Sequence, residues 1–106
     1  MGERAFFQPV REIEWLEASG KYVKVHVGRE THTMRETMLQ LERVLDPDRF
    51  LRISRSAIVN VDRIREVQPW FHGDYVVLLR SGDRVSSTRG YRDALARLLG
   101  RRDEGR

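Results

Sequence analysis

Residues 50–60 read FLRISRSAIVN and set two short apolar runs around a polar centre that holds two arginines and two serines. Apolar runs of this length, separated by polar residues, are typical of neighbouring buried strands joined by a turn. We expect the flanking apolar residues in the core and Asn60 in a turn, where it bonds local backbone; these core residues are Phe50, Ile58, Val59 and Val61. A core does not need the hydrogen-bonding capacity of Arg52 and Arg55, so this stretch also marks a candidate site.

The composition favours one small domain over residues 1–106. The 106 residues are 40% hydrophobic and 34% charged, which suits a folded unit with a well-solvated surface. We expect the core within about residues 7–99 and a loose polar tail at 100–106. The absence of cysteine removes disulfides and thiolate chemistry and fits a cytoplasmic protein, and no segment resembles a signal peptide or membrane span.

Hydrophobic patterning predicts short strands around one helix. KYVKVHV at 21–27 alternates, and with residues 13–16 before it predicts a hairpin, followed by a strand at 30–34. TMLQLERVLD changes to helical spacing, with Thr37 at the start and an end near Leu45. Further strands are predicted in IREVQPW, in DYVVLLR at the centre of the core, and in RVSST after an SGD turn.

A second helix is predicted at the end of the chain. GYRDALARLLG carries a helical stripe of Tyr91, Ala94 or Leu95, Leu98 and Leu99, and Gly100 stands where a helix often ends. With seven or more short strands, one middle helix and one C-terminal helix, the predicted fold class is mainly β.

Motifs for catalysis and cofactor binding are missing from the sequence. The histidines have no metal-binding spacing, no glycine-rich phosphate loop occurs, and no serine lies in a GxSxG turn. We therefore expect no enzyme activity, no metal and no cofactor.

The charge balance favours a polyanionic partner. The formal charge is +4, the sequence pI is about 10.1, and Lys21 and Lys24 are the only lysines among 20 basic residues. Arg55 and Arg89 lie where strands meet loops, a position from which a long side chain reaches a groove. The turn ASGKY presents Ser19, Lys21 and Tyr22 in the same way, although any one such arginine could be only a solvated charge or an ion-pair member.

The order of several blocks resembles one known family. FLRISRSAIVNVDRIREV resembles the signature FxRxHRSxxVNxxxI of the LytTR-type DNA-binding domain of bacterial transcription regulators, and IEWLEASGKYVKVH, TMLQLERVL and GDYVVLLRSGDRVSSTRGYRDAL resemble its flanking blocks. This resemblance covers about residues 7–99. It implies an elongated, multi-stranded β fold and sequence-specific binding of double-stranded DNA, with loops entering successive major grooves, as the output domain of a response regulator in a two-component system.

The resemblance also implies a set of DNA-binding residues. It assigns base reading to Arg55 and to Arg89, contacts from the first turn to Gly20, Lys21 and Tyr22, and a phosphate contact to Arg92. We add Ser19, Ser54 and Ser56 as hydroxyl groups suited to phosphate, and Arg52 in an orienting or backbone-contacting role. Ser54 stands where the family usually has histidine and Thr88 where it usually has serine, which puts base preference beside Arg55 in question.

Two other functions stay open at this point. A small basic β domain could bind RNA, for which single-strand stacking would require aromatic residues on one exposed sheet face. The segment QPWFHGDY could instead make the chain a protein-interaction module with Trp70 and Phe71 as an exposed anchor, although such residues more often cover the edge of a core. The partner is expected to be DNA, bound at repeated half-sites, with a homodimer formed on DNA or through a further sensory domain.

Overall fold

The fold is mainly β, as predicted. The computed structural model describes residues 10–104, without the side chains of Arg92 and of residues 101–104, so the predicted start of the core at residue 7 and the end of the chain lie outside the described residues. The described part contains eight strands and two α-helices: β1 (Ile13–Ser19), β2 (Tyr22–Val27), β3 (Glu30–Met34), α1 (Met38–Val44), β4 (Phe50–Ser54), β5 (Ala57–Asn60), β6 (Ile64–Pro69), β7 (Tyr75–Leu79), β8 (Arg84–Ser86) and α2 (Arg92–Glu104).

The larger sheet has five antiparallel strands in the order β3-β2-β1-β5-β4. The predicted β1–β2 hairpin and the β3 strand are both present. On β2 the alternating Val23 and Val25 are buried, at 1% and 4% exposure, as their period-2 spacing requires. On β1 a register shift between residues 13 and 15 lets both Ile13 and Leu16 reach the core.

Helix α1 covers one face of this sheet. Its first turn is capped by Thr37, whose side-chain oxygen accepts a hydrogen bond of 3.0 Å from the Gln40 amide, and the helix ends at Val44, as predicted. Met38 and Leu41 point down onto the sheet. They complete a core cluster with strand residues that include Ile13, Leu16, Val23, Val25, Phe50 and Ile58.

The other face is covered by the three-stranded sheet β6-β7-β8 together with α2. β7 is its middle strand and carries the buried Val77 and Leu79, which confirms the expectation of a central core strand. α2 adds Leu95, which is fully buried. Strands β4 and β5 therefore lie between two clusters, the second of which consists of Ile53, Ala57, Val59, Val77, Leu79, Val85 and Leu95.

The predicted end of the second helix was wrong. α2 continues through Gly100 to Glu104, and Gly100 is not among the described glycines with positive φ. A glycine inside a helix costs about 1 kcal/mol relative to alanine, too little to stop a helix whose preceding turn is packed on the core. The tail from residue 100 is therefore helical to Glu104 rather than loose. No helix within residues 10–104 is long and apolar enough to span a bilayer.

The side chain of Asn60, at the end of β5, links this strand to the start of β1. Its amide Nδ2 donates 2.8 Å to the Ile13 carbonyl, and its Oδ1 accepts 3.0 Å from the Asp62 amide, so the predicted local turn role is confirmed. The side chain is only 2% exposed. Phe50, Ile58 and Val59 are buried as predicted, whereas Val61 is half-buried. Asn60 thus satisfies buried backbone groups on two separate segments.

Candidate nucleic-acid interface

Four loops lie side by side at one edge of the protein, and hydrogen bonds at or beside their ends link each to the next. We call this set the loop row. It consists of the β1–β2 turn (residues 19–22), the β4–β5 turn (54–56), the β8–α2 loop (87–91) and the β6–β7 tip (70–74).

The first two turns are neighbours because β1 pairs with β5. The Ala18 amide donates 2.9 Å to the Ser56 carbonyl, which joins the end of β1 to the β4–β5 turn. Continuing the antiparallel register by two residues places Ser19 opposite Arg55. The structure therefore brings together candidate residues that are more than thirty positions apart in the sequence.

The β1–β2 turn is short and exposed. Gly20 has a φ of +61°, the left-handed region that other residues adopt only with strain, and this lets the chain reverse over Gly20 and Lys21 alone. Lys21 is exposed and Tyr22 is 47% exposed, whereas Ser19 is half-buried. A lysine and a phenol group are thus presented to solvent from a two-residue loop.

A bulge shapes the β4–β5 turn. Arg52 pairs with Ile58 and Ser54 with Ala57, so Ile53 is an extra residue, and it is buried together with Ser54 at 0% and 5% exposure. The Ser54 hydroxyl accepts 3.2 Å from the amide of Ser56. Ser54 therefore stabilises the turn from within and does not offer its hydroxyl at the surface.

Arg52 holds the same turn from the side. Its Nε donates 3.2 Å to the Ser54 carbonyl and its Nη2 donates 2.9 Å to the Arg55 carbonyl, while Nη1 forms a 2.9 Å ion pair with Glu42 on α1. Its guanidinium lies 5.8 Å from the Tyr91 ring centroid. This geometry suits the orienting role expected of Arg52, because both carbonyls flank the exposed Arg55.

The β8–α2 loop is anchored to both sheets. The Thr88 amide donates 3.0 Å to the carbonyl of the bulged Ile53. The Ser87 amide donates 2.8 Å to the Tyr75 carbonyl, and the Ser87 hydroxyl accepts 3.2 Å from the Tyr75 amide. Ser87 is only 2% exposed, so the loop has a buried support two residues before the exposed Arg89.

Arg89 is oriented by the last member of the row. Its Nε donates 3.3 Å to the His72 carbonyl in the β6–β7 tip. This hydrogen bond uses Nε alone, so both Nη groups stay available for a bidentate contact. The ion pairs found among the described residues involve neither Arg89 nor Arg55. The side chain of Arg92 lies outside the described residues.

The β6–β7 tip was misjudged from sequence. Trp70 is 51% and Phe71 68% exposed, so the expectation that they cover the edge of a core was wrong. Their rings meet edge to face with centroids 5.2 Å apart. The signal that could have placed them at a tip is the flanking Pro69 and Gly73, since both residue types favour turns.

Among residues 10–100, the aromatic side chains are spread over several segments rather than set on one exposed sheet face. Trp15 stacks on His26 with ring centroids 4.5 Å apart, and its Nε1 donates 3.0 Å to Asp83. Tyr75 is half-buried at the start of β7, far in sequence from the exposed Tyr22 on β2. A stacking face for single-stranded RNA would require such rings side by side on one sheet.

Exposed arginines on a row of anchored loops, in a chain with a formal charge of +4, are features typical of nucleic-acid-binding modules. Comparison with known sequences identifies the family: the model of the LytTr DNA-binding domain matches residues 3–100. The chain belongs to this family. DNA binding is therefore the function of the domain.

The relatives are bacterial regulators. The chain is 28% identical over 99 residues to the sensory transduction protein LytT of Bacillus subtilis, covering 93% of the chain and 41% of that protein. It is 38% identical over 90 residues to LytT of Bacillus anthracis, covering 85% of the chain and 37% of that protein. It is 35% identical over 81 residues to the transcriptional regulatory protein YpdB of Escherichia coli K12, covering 76% of the chain and 33% of that protein.

The fold agrees with a solved member of the family. A LytTr DNA-binding domain from Bacillus cereus superposes with a TM-score of 0.82 at 31% identity, and the match covers 88% of this chain and 85% of that one. The chain spans less than half the length of each of the three relatives above. The similarity therefore concerns only part of each of these relatives.

Proposed function

We propose that the loop row binds double-stranded DNA sequence-specifically as the output domain of a bacterial transcription regulator. The observation that carries the proposal is the pair of exposed arginines, Arg55 and Arg89, on adjacent loops that are joined by the Thr88–Ile53 hydrogen bond of 3.0 Å. Each guanidinium can bond the two acceptors of a guanine edge in a major groove.

The remaining members of the row are proposed to hold the DNA backbone. Lys21 supplies charge, and Ser19, Tyr22 and Ser56 supply hydroxyl groups near the reading arginines. Gly20 contributes through its backbone, and we retain Arg92 as a phosphate contact. Ser54 is moved to a supporting role because it is only 5% exposed.

The length of the protein suits contacts between the loop row and successive major grooves on one side of a bent duplex. The principal extents of the protein are 48 × 28 × 25 Å, and one helical turn of DNA is about 34 Å long. We propose that the protein works in the cytoplasm, on repeated half-sites occupied by two copies. The signal would reach it through a further sensory domain of a two-component system.

The experiment that tests the proposal begins with selection of bound sequences from a random duplex library. The enriched duplex is then titrated with Arg55→Ala and Arg89→Ala variants. Each variant is expected to lose about 1–3 kcal/mol of discrimination between the selected base and its replacements, because a bidentate guanine contact is worth that much. Unfolding midpoints should stay unchanged, since both side chains are exposed.

Arg29→Ala is the matched control. Arg29 is an exposed arginine in the β2–β3 turn, which lies at the other end of β2 from the loop row. Its removal lowers the net charge equally and should leave base discrimination intact. Equal discrimination by the wild type and both loop variants, or a random library without an enriched motif, would contradict the proposal.

A further inference from the structure

The β6–β7 tip carries an exposed pair of aromatic residues, Trp70 and Phe71, in the described part of the chain, and hydrogen bonds hold its backbone in place. The Trp70 amide donates 2.8 Å to the Asp74 carbonyl, and the Asp74 amide donates 3.1 Å to the Phe71 carbonyl. His72 adopts a φ of +60° and ψ of 28°, a left-handed conformation that a non-glycine residue adopts only with strain. Local main-chain hydrogen bonds therefore hold a strained turn that presents two aromatic rings to solvent.

The tip is continuous with the DNA interface. The His72 carbonyl accepts the 3.3 Å hydrogen bond from Arg89 Nε, so one peptide group connects the aromatic pair to a proposed base-reading side chain. The Ser87–Tyr75 pair of hydrogen bonds, at 2.8 and 3.2 Å, fixes the same two segments on the core side. The tip that carries the rings is therefore the last member of the loop row, next to the loop that carries Arg89.

We propose that Phe71, assisted by Trp70, packs on the flank of the bound duplex just outside the base pairs read by Arg89. A duplex offers apolar surface to a protein mainly at its deoxyribose rings and its thymine methyl groups. The edge-to-face pair is already assembled at 5.2 Å, so binding would not need to order it. The contact would add affinity with little base preference. This inference rests on the proposed function.

The test uses two duplexes that contain the same selected site. The shorter ends at the last base pair that the Phe71→Ala variant protects from hydroxyl radicals, and the longer extends beyond it by about five base pairs, or ~17 Å at 3.4 Å per pair. Wild type is expected to protect flanking deoxyriboses on the longer duplex and to bind it about tenfold more tightly than the shorter one. Phe71→Ala should bind both duplexes equally and leave the flank unprotected.

Val44→Ala is the matched control, because Val44 is 64% exposed on α1, outside the loop row. It should retain both the flank protection and the preference for the longer duplex. A Trp15→Phe variant leaves Trp70 as the remaining tryptophan of the two, and acrylamide quenching of its fluorescence should fall when the longer duplex binds.

The inference is overturned if Phe71→Ala still protects the flanking deoxyriboses. It is also overturned if Phe71→Ala weakens binding to both duplexes by the same factor, since this would show that the tip acts only through Arg89. It is also overturned if Phe71→Ala binds DNA normally but loses self-association in sedimentation, which would make the tip a contact between copies. In any of these cases Arg55→Ala and Arg89→Ala still report separately on the proposed function.

Discussion

Replacing Arg52 by alanine should lower both the free energy of unfolding of the domain and its discrimination between bases. The substitution removes hydrogen bonds of 3.2 and 2.9 Å to the Ser54 and Arg55 carbonyls, each worth about 1 kcal/mol net. The 2.9 Å ion pair with Glu42, whose side chain is 47% exposed, adds about 0–1 kcal/mol. We expect Arg52→Ala to lower the free energy of unfolding by about 2–3 kcal/mol.

Urea unfolding followed by far-ultraviolet circular dichroism measures this loss, and the midpoint should fall without a change of slope. Glu42→Ala removes only the ion pair, so its cost should stay below about 1 kcal/mol. Arg52→Lys keeps the charge, but lysine has no planar guanidinium to reach both carbonyls. Its loss of unfolding free energy should lie between those of Glu42→Ala and Arg52→Ala. Arg65→Ala, an exposed arginine on β6, is the control for loss of charge.

The same change should be coupled to DNA recognition. Because Arg52 bonds the Arg55 carbonyl, Arg55→Ala should cost less discrimination in the Arg52→Ala background than in the wild type, a departure from additivity of about 0.5–3 kcal/mol. The reasoning is refuted if Arg52→Ala unfolds within about 0.5 kcal/mol of Arg65→Ala, or if the effects of the two substitutions on discrimination simply add.

Further substitutions address other parts of the fold. Asn60→Ala leaves the buried Ile13 carbonyl without its 2.8 Å partner and should cost about 2–4 kcal/mol in urea unfolding. Gly20→Ala meets no atom within 4 Å, so its cost of about 1 kcal/mol should come from the positive φ alone, as measured by thermal unfolding. Thr37→Ala removes the cap of α1 and should cost about 1 kcal/mol, read from the same denaturation curves. Lys21→Ala should weaken binding to all duplexes alike and reduce the slope of log K against log salt by about 1, which titration at several salt concentrations would show.

Features that depend on neighbours in sequence were predictable. The alternation of Val23 and Val25, the Thr37 cap and the turn between β7 and β8 each rest on residues a few positions apart, and each is confirmed. Local periodicity and capping act within one element, so the sequence reports them directly. The mainly β fold and its two helices followed from the sum of such elements.

Features that depend on distant segments were not predictable from local patterns. The bulge at Ile53, which buries Ser54, needs the pairing of β4 with β5 and a Thr88 amide to satisfy the Ile53 carbonyl. The end of α2 was missed because packing around Leu95 outweighs the small cost of Gly100. The flanking Pro69 and Gly73 indicate a turn at the β6–β7 tip, but the exposure of Trp70 and Phe71 depends on how the two sheets meet, which those two residues do not encode.

Two main-chain hydrogen bonds join the first three loops of the row, Ala18 to Ser56 and Thr88 to Ile53, and a third, Ser87 to Tyr75, joins the β8–α2 loop to the start of β7. Such bonds do not depend on which side chains project from the loops. Arg55, Arg89 and Lys21 can therefore be exchanged with little loss of folding. If these residues read and hold DNA as proposed, saturating the three positions should change the operator preference on an unchanged backbone.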